Sequence, residues 1–239
     1  AEVTWESLDD FGIITLDADN DRVIADKAGT AKIRASVKGT KYTADFLIVV
    51  RPAAATNIKA TTTTYNSVKF TWDGAADAEG YRVYRKAKGE TDFTLLKTLT
   101  DTTYTDTNLV AGKEYAYRVY SYVSYKISGT AYAEAEAPAV LTVTPTVGKT
   151  TISSVTSKAY NTLALSWSKV DGAAGYTVYR ATGNSSSYSE VGSVDAATYT
   201  YTDAKVTCGV KYSYKVRAYS TVDGNKVYGA YSSAVSGKA

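Results

Sequence analysis

The residues able to do chemistry are few, and what is missing narrows the field first. The chain has no histidine and a single cysteine, Cys208. Without an imidazole, Ser-His-Asp and Cys-His nucleophile systems cannot be assembled, and the commonest zinc ligand is gone. One thiol allows no internal disulfide. Cys208 also lacks the histidine neighbour that usually activates a thiol, so it reads as a loop or minor packing residue. Carboxylate pairs could still do glycosidase work. The acidic residues, however, stand mostly in turn-like stretches such as Asp9-Asp10, Asp73, Asp77-Ala78-Glu79 and Asp101. No glycine-rich loop follows a strand and opens a helix to cradle a phosphate. The expectation is a protein that is not an enzyme and carries no cofactor.

One stretch has metal-ligand spacing. DADND places Asp17, Asp19 and Asp21 at alternate positions, like the first half of a calcium loop. Two elements fail: Arg22 stands where such a loop needs glycine, and Ala28 where it needs a bidentate glutamate. A polar hairpin turn explains the stretch without an ion.

The chain is unusually rich in tyrosine, with 22 residues, and these carry the best remaining chemistry. GYRVYR (80–85) and GYTVYR (175–180) are nearly the same six residues written twice. Strand alternation puts Tyr81 and Val83 on one side, Arg82 and Tyr84 on the other. EYAYRVYSY (114–122) sorts the same way, with Tyr115, Tyr117 and Val119 inward and Arg118, Tyr120 and Tyr122 outward. A candidate ligand or partner face follows: Arg82, Tyr84, Lys86, Arg118, Tyr120 and Tyr122, with Thr177, Tyr179, Lys215, Arg217 and Tyr219 in the second copy. Aromatic rings beside cations can stack on sugars or meet a protein surface. Tyr–Arg pairs across strands also stabilise a sheet without any ligand, by roughly 0.2–1 kcal/mol each. Both readings stay open at this point.

The elements that position these residues are strands. SVKFTW (67–72) alternates Val68, Phe70 and Trp72 on one face, and LALSW (163–167) alternates Leu163, Leu165 and Trp167. Turn clusters such as DGAADAEG (73–80) and DGN (223–225) separate short strands, and no helical periodicity is sustained. Trp72 and Trp167 stand 95 residues apart, as do Gly80 and Gly175; Asp106 and Asp203, or Gly112 and Gly209, stand 97 apart. The two-residue slip is a loop insertion in the second copy of a duplicated domain. Prolines at RPAAAT (51–56) and TPTVGK (144–149) mark linkers. No apolar run is long enough for a membrane span, and the net charge of +3 is scattered rather than gathered in a nucleic-acid stripe.

In order and spacing, these motifs resemble two fibronectin type III domains. The residues that carry the resemblance are Trp72 and Trp167, the G-Y-x-V-Y-R hexapeptides, and Leu109, Gly112, Tyr115, Tyr117 and Val119. The second copy answers with Val206, Gly209, Tyr212, Tyr214 and Val216. The resemblance implies that Tyr115 and Tyr212 form tyrosine corners, each hydroxyl bonded back to nearby backbone. Residues 1–51 resemble a bacterial immunoglobulin-like domain of group 2, through Val3–Ser7, Ile13–Asp17 and Ala28–Ala35. One or two strands normally precede the Trp in that family, so core side chains and a bare sheet edge are expected here.

The expectation is therefore all-β: immunoglobulin-like sandwiches arranged as beads on a string, with domains at 1–51, 52–144 and 145–239. The chain, which does not begin with Met, reads as a piece of a longer protein. The resemblance implies a non-catalytic extracellular or cell-wall spacer or adhesion segment of a bacterial surface or secreted protein; the outward tyrosines support the alternative, a carbohydrate-binding module with Tyr84, Tyr120 and Tyr122 as its platform. The implied partners are cell-wall or host polysaccharide or another surface protein, met by a monomer, without nucleic acid or membrane insertion.

Overall fold

A computed structural model describes residues 2–17, 22–126 and 129–239, and these residues are all-β. Residues 2–50 carry β1 (Val3–Ser7), β2 (Ile14–Asp17), β3 (Arg22–Ala25), β4 (Gly29–Val37) and β5 (Thr43–Val50). The first repeat carries β6 (Thr56–Thr63), β7 (Val68–Asp73), β8 (Gly80–Ala87), β9 (Thr94–Leu99), β10 (Thr103–Asp106), β11 (Tyr115–Lys126), β12 (Thr130–Glu134) and β13 (Ala139–Val143). The second carries β14 (Ile152–Ala159), β15 (Thr162–Trp167), β16 (Gly175–Thr182), β17 (Ser189–Asp195), β18 (Thr200–Asp203), β19 (Lys211–Val222), β20 (Asn225–Tyr228) and β21 (Val235–Lys238).

The repeats share one topology. In the first, a three-stranded sheet β10-β7-β6 faces a sheet ordered β12-β11-β8-β9, with β13 also pairing β11. In the second, β14-β15-β18 faces β17-β16-β19-β20, with β21 pairing β19. By contacts the chain forms two compact units: Ala1–Thr61, Phe70–Tyr104 and Tyr115–Thr142 in one, Thr62–Lys69, Thr105–Glu114 and Val143–Ala239 in the other.

The alternation in the sequence becomes the core. Val68, Phe70 and Trp72 are buried, as are Leu163, Leu165 and Trp167, while the intervening residues are more exposed. Each such side chain contributes about 1.5–3 kcal/mol on leaving water. Phe70 packs on Tyr117 at 4.9 Å between ring centroids, and Trp72 meets Tyr81 edge-on at 5.4 Å. The first tyrosine of each hexapeptide is a core residue with its polar end satisfied. Tyr81 OH accepts from Ala75 N–H at 3.0 Å, and Tyr176 OH accepts from Val170 N–H at 2.8 Å. Tyr115 and Tyr212 are buried at matching positions, and Tyr212 OH accepts from Thr207 N–H at 3.0 Å.

Residues 2–50 are built differently. A three-stranded sheet β1-β4-β5 lies with the β2–β3 hairpin, and Ile13, Ile14, Ala31 and Ile33 form the core. In this sheet Trp5 pairs with Ala35 and Phe46 with Ile33, so both rings stand on the core face. That face is only partly covered: Val3, Trp5 and Phe46 are 47%, 51% and 46% exposed. A groove of about 510 Å³ lined by Val3, Trp5, Leu16, Val23 and Ile33 runs beside them. Among the described residues, β1 and β5 are the edge strands of this sheet. Local opening is easiest where little apolar surface is buried. Hydrogen exchange should therefore reach the amides of β1–β5 before those of β7, β8, β11, β15, β16 and β19; equal protection would contradict this.

Candidate ligand face

The outer tyrosines are placed by the pairing of the third and sixth strands of each repeat. In the first, β8 runs antiparallel to β11 with Tyr84 opposite Arg118, Arg82 opposite Tyr120, and Gly80 opposite Tyr122. Strand β12 then brings up Glu134. Arg82 Nη1 donates to Glu134 Oε1 at 2.6 Å, and Tyr84 OH donates to the same oxygen. The Arg82 guanidinium lies over the Tyr84 and Tyr132 rings, 5.4 and 4.9 Å from their centroids. Tyr84 meets Tyr120 edge-on at 5.7 Å, and Arg118 covers Phe93 at 4.1 Å.

In the second repeat the arginine has moved to the sixth strand. Arg217 on β19 donates Nε and Nη2 to Tyr179 OH on β16, at 3.1 and 2.6 Å. Its guanidinium lies 3.6 Å from the Tyr228 centroid, 4.5 Å from Tyr231 and 5.0 Å from Tyr179. Lys215 sits 4.4 Å from the Tyr188 ring and 5.9 Å from Tyr231. Tyr219 touches Tyr228 at 5.9 Å.

Several of the residues expected to face outward are covered. Tyr122 and Tyr179 are buried, and so is Thr177. Alternation fixes which side of a sheet a residue takes, not what lies over that side. Tyr122 is covered by Tyr132 of β12, edge-on at 5.0 Å, and Tyr179 by Tyr231, edge-on at 5.1 Å, with Arg217 beside it. Arg82 and Tyr84 are half-buried, and Arg118 is exposed. Two open rings beside this face are ones that sequence reasoning missed, Tyr132 and Tyr231, 40% and 41% exposed. The stretches AYAE (131–134) and KVYGAY (226–231) hold a tyrosine signal. It is legible only once strand order is known.

Burial, reinforced by the hydrogen bond to Glu134, pushes the Tyr84 phenol well above its ordinary value of 10.0; burial and Asp203 do the same for Tyr214. A folded-state pKa raised in this way contributes stability that is complete below the unfolded value and is lost as pH rises through the folded one. The chain should hold its stability up to about pH 10 and lose it above that. Ultraviolet absorbance of phenolate should show some tyrosines ionising only together with unfolding. Smooth titration of all of them in the folded state would contradict this burial.

No group of three or more metal-ligating side chains occurs among the described residues. Asp17 pairs with Arg22 at 3.2 Å; Asp19 and Asp21 of the DADND stretch lie outside the described residues. Cys208 is exposed. No helix among the described residues is long and apolar enough to cross a membrane.

A family profile described as the fibronectin type III domain matches residues 53–134. A two-domain fibronectin type III segment of chicken tenascin superposes with a TM-score of 0.53, at 18% identity, covering 77% of this chain and 97% of that one. The two repeats are consecutive fibronectin type III-like sandwiches. Exoglucanase B of Cellulomonas fimi is 34% identical over 184 residues, 70% of this chain. The chain spans 15% of that relative's length.

Proposed function

We propose that this chain is a non-catalytic, extracellular spacer segment of a larger bacterial surface or secreted protein. In this reading, a partial immunoglobulin-like group 2 domain at 1–51 is followed by fibronectin type III domains at 52–144 and 145–239. Supporting the reading above all is the similarity to a small part, 15%, of a much longer exoglucanase, combined with the way the outer side chains are used. In the first repeat Arg82, Tyr84 and Glu134 satisfy one another, and Tyr84 and Tyr120 stand edge to face, so the two rings form no coplanar platform. Such contacts stabilise a sheet and need no ligand.

The test is direct. The purified chain, incubated with soluble and insoluble glucans, should release no reducing sugar above a buffer control. Turnover that survives purification to homogeneity would overturn the non-catalytic reading. A second reading, a carbohydrate-binding face, draws support from the second repeat, where Tyr231 is open beside Arg217 and Lys215.

A further inference from the structure

On the second repeat, cations and rings form an unbroken chain of contacts. Lys226 Nζ lies 4.3 Å from the Tyr219 ring, Tyr219 touches Tyr228, and Tyr228 is covered by Arg217. Arg217 also covers Tyr231, and Lys215 reaches both Tyr231 and Tyr188. Lys226 stands beside Thr221 in the register, six residues along β19 from Lys215. The run therefore follows the strand for about 20 Å at the usual rise per residue.

Two properties set this strip apart from ordinary packing. None of Lys215, Arg217 and Lys226 forms an ion pair with a carboxylate among the described residues; the ion pairs of this repeat are Arg180–Asp203 and Lys169–Asp171. A cation over a ring keeps its full charge and most of its N–H donors. The hydroxyls of Tyr188, Tyr219, Tyr228 and Tyr231 are likewise not engaged in hydrogen bonds within the described residues, whereas that of Tyr179 is. The surrounding sequence favours anions as well, since residues 146–239 hold ten basic and five acidic residues.

We propose that this strip binds an extended acidic polysaccharide, its carboxylates meeting Lys215, Arg217 and Lys226 and its hydroxyls meeting the free phenols. Nucleic acid fits less well. Stacked bases need open ring faces, and here Arg217 takes faces of Tyr228 and Tyr231 and leaves hydroxyls and charge. The inference rests on the carbohydrate-binding reading and adds the ligand's chemical class and the residues that meet it.

The experiment uses the whole chain and four probes: polygalacturonate, the same polymer fully methyl-esterified, a neutral glucan, and duplex DNA. The variants are Lys215→Ala/Lys226→Ala and a control that removes equal charge elsewhere, Lys158→Ala/Lys238→Ala. Their unfolding midpoints are compared first. Polygalacturonate should bind, release with rising salt, and lose about tenfold in affinity in the strip variant and little in the control, as local rather than net charge dictates. Esterification should abolish most of the binding. Equal losses in both variants, equal binding to DNA, or no binding to polygalacturonate would overturn the proposal. The glucan assay above would still stand as the test of the non-catalytic reading. Neutral-glucan binding lost in the strip variant would keep the carbohydrate-binding face and overturn the acidic class.

Discussion

Replacing Arg180 by methionine should destabilise the second repeat by ~3–5 kcal/mol, the range for removing one partner of a buried ion pair. Arg180 Nη1 donates to Asp203 Oδ2 at 2.8 Å and to the Lys205 carbonyl at 2.7 Å. Asp203 is 2% exposed, and its carboxylate also accepts from Tyr214 OH at 2.9 Å and Lys205 N–H at 3.0 Å. Methionine keeps much of the packing over Tyr212, which the guanidinium covers at 5.2 Å, so the loss reports the charge. The double variant Arg180→Met/Asp203→Asn should recover part of it, because no unpaired charge is then left in the interior. Urea unfolding followed at the tyrosines measures both. A single variant within about 1 kcal/mol of the parent, the scale of exposed pairs, would show that Asp203 is solvated after all.

Trp167 should show the opposite pattern, where polarity matters little and volume matters most. Trp167→Ala is expected to cost ~3–5 kcal/mol, since Trp167 is 4% exposed in the core and packs at 5.7 Å on Tyr176. Trp167→Phe should cost well under half of that. The indole Nε1 is buried without a hydrogen-bond partner, as is that of Trp72. An unsatisfied buried donor costs about 1–3 kcal/mol, and phenylalanine removes the donor along with part of the ring. The same comparison at Trp72 should give the same order. If phenylalanine proved as damaging as alanine, the indole N–H would be making a contribution that its surroundings do not indicate.

The two predictions divide what was legible in the sequence from what was not. The hydrophobic alternation Val68-Phe70-Trp72 and its copy Leu163-Leu165-Trp167 marked both cores, because a sheet with one dry face must write that face at every second residue. The repeat offset of 95 then 97 residues placed the same strands in both copies. The inward role of Tyr81 and Tyr176 followed from alternation alone. The burial of Tyr122, Tyr179 and Thr177 did not, since it depends on strands β12, β17 and β20 and on Tyr231, all distant in sequence or beyond a loop. Glu134 was passed over for the same reason. Only the β11–β12 register carries it to Arg82 and Tyr84. Periodicity reports the side a residue takes; topology decides what covers it.

For the proposed spacer role, the decisive measurement is a replacement within the longer protein that this reading places around the segment. Exchanging residues 52–239 for two unrelated β-sandwich repeats of equal length should leave that protein's activity on a soluble substrate unchanged within about twofold, since the sandwiches act through shape. A Gly/Ser chain of the same residue count spans only about 5–6 Å times the square root of its length, and it should fail on an insoluble substrate where the sandwiches succeed. Loss of soluble-substrate activity with the unrelated sandwiches would contradict the account, because it would mean that the surface of these repeats takes part in the reaction.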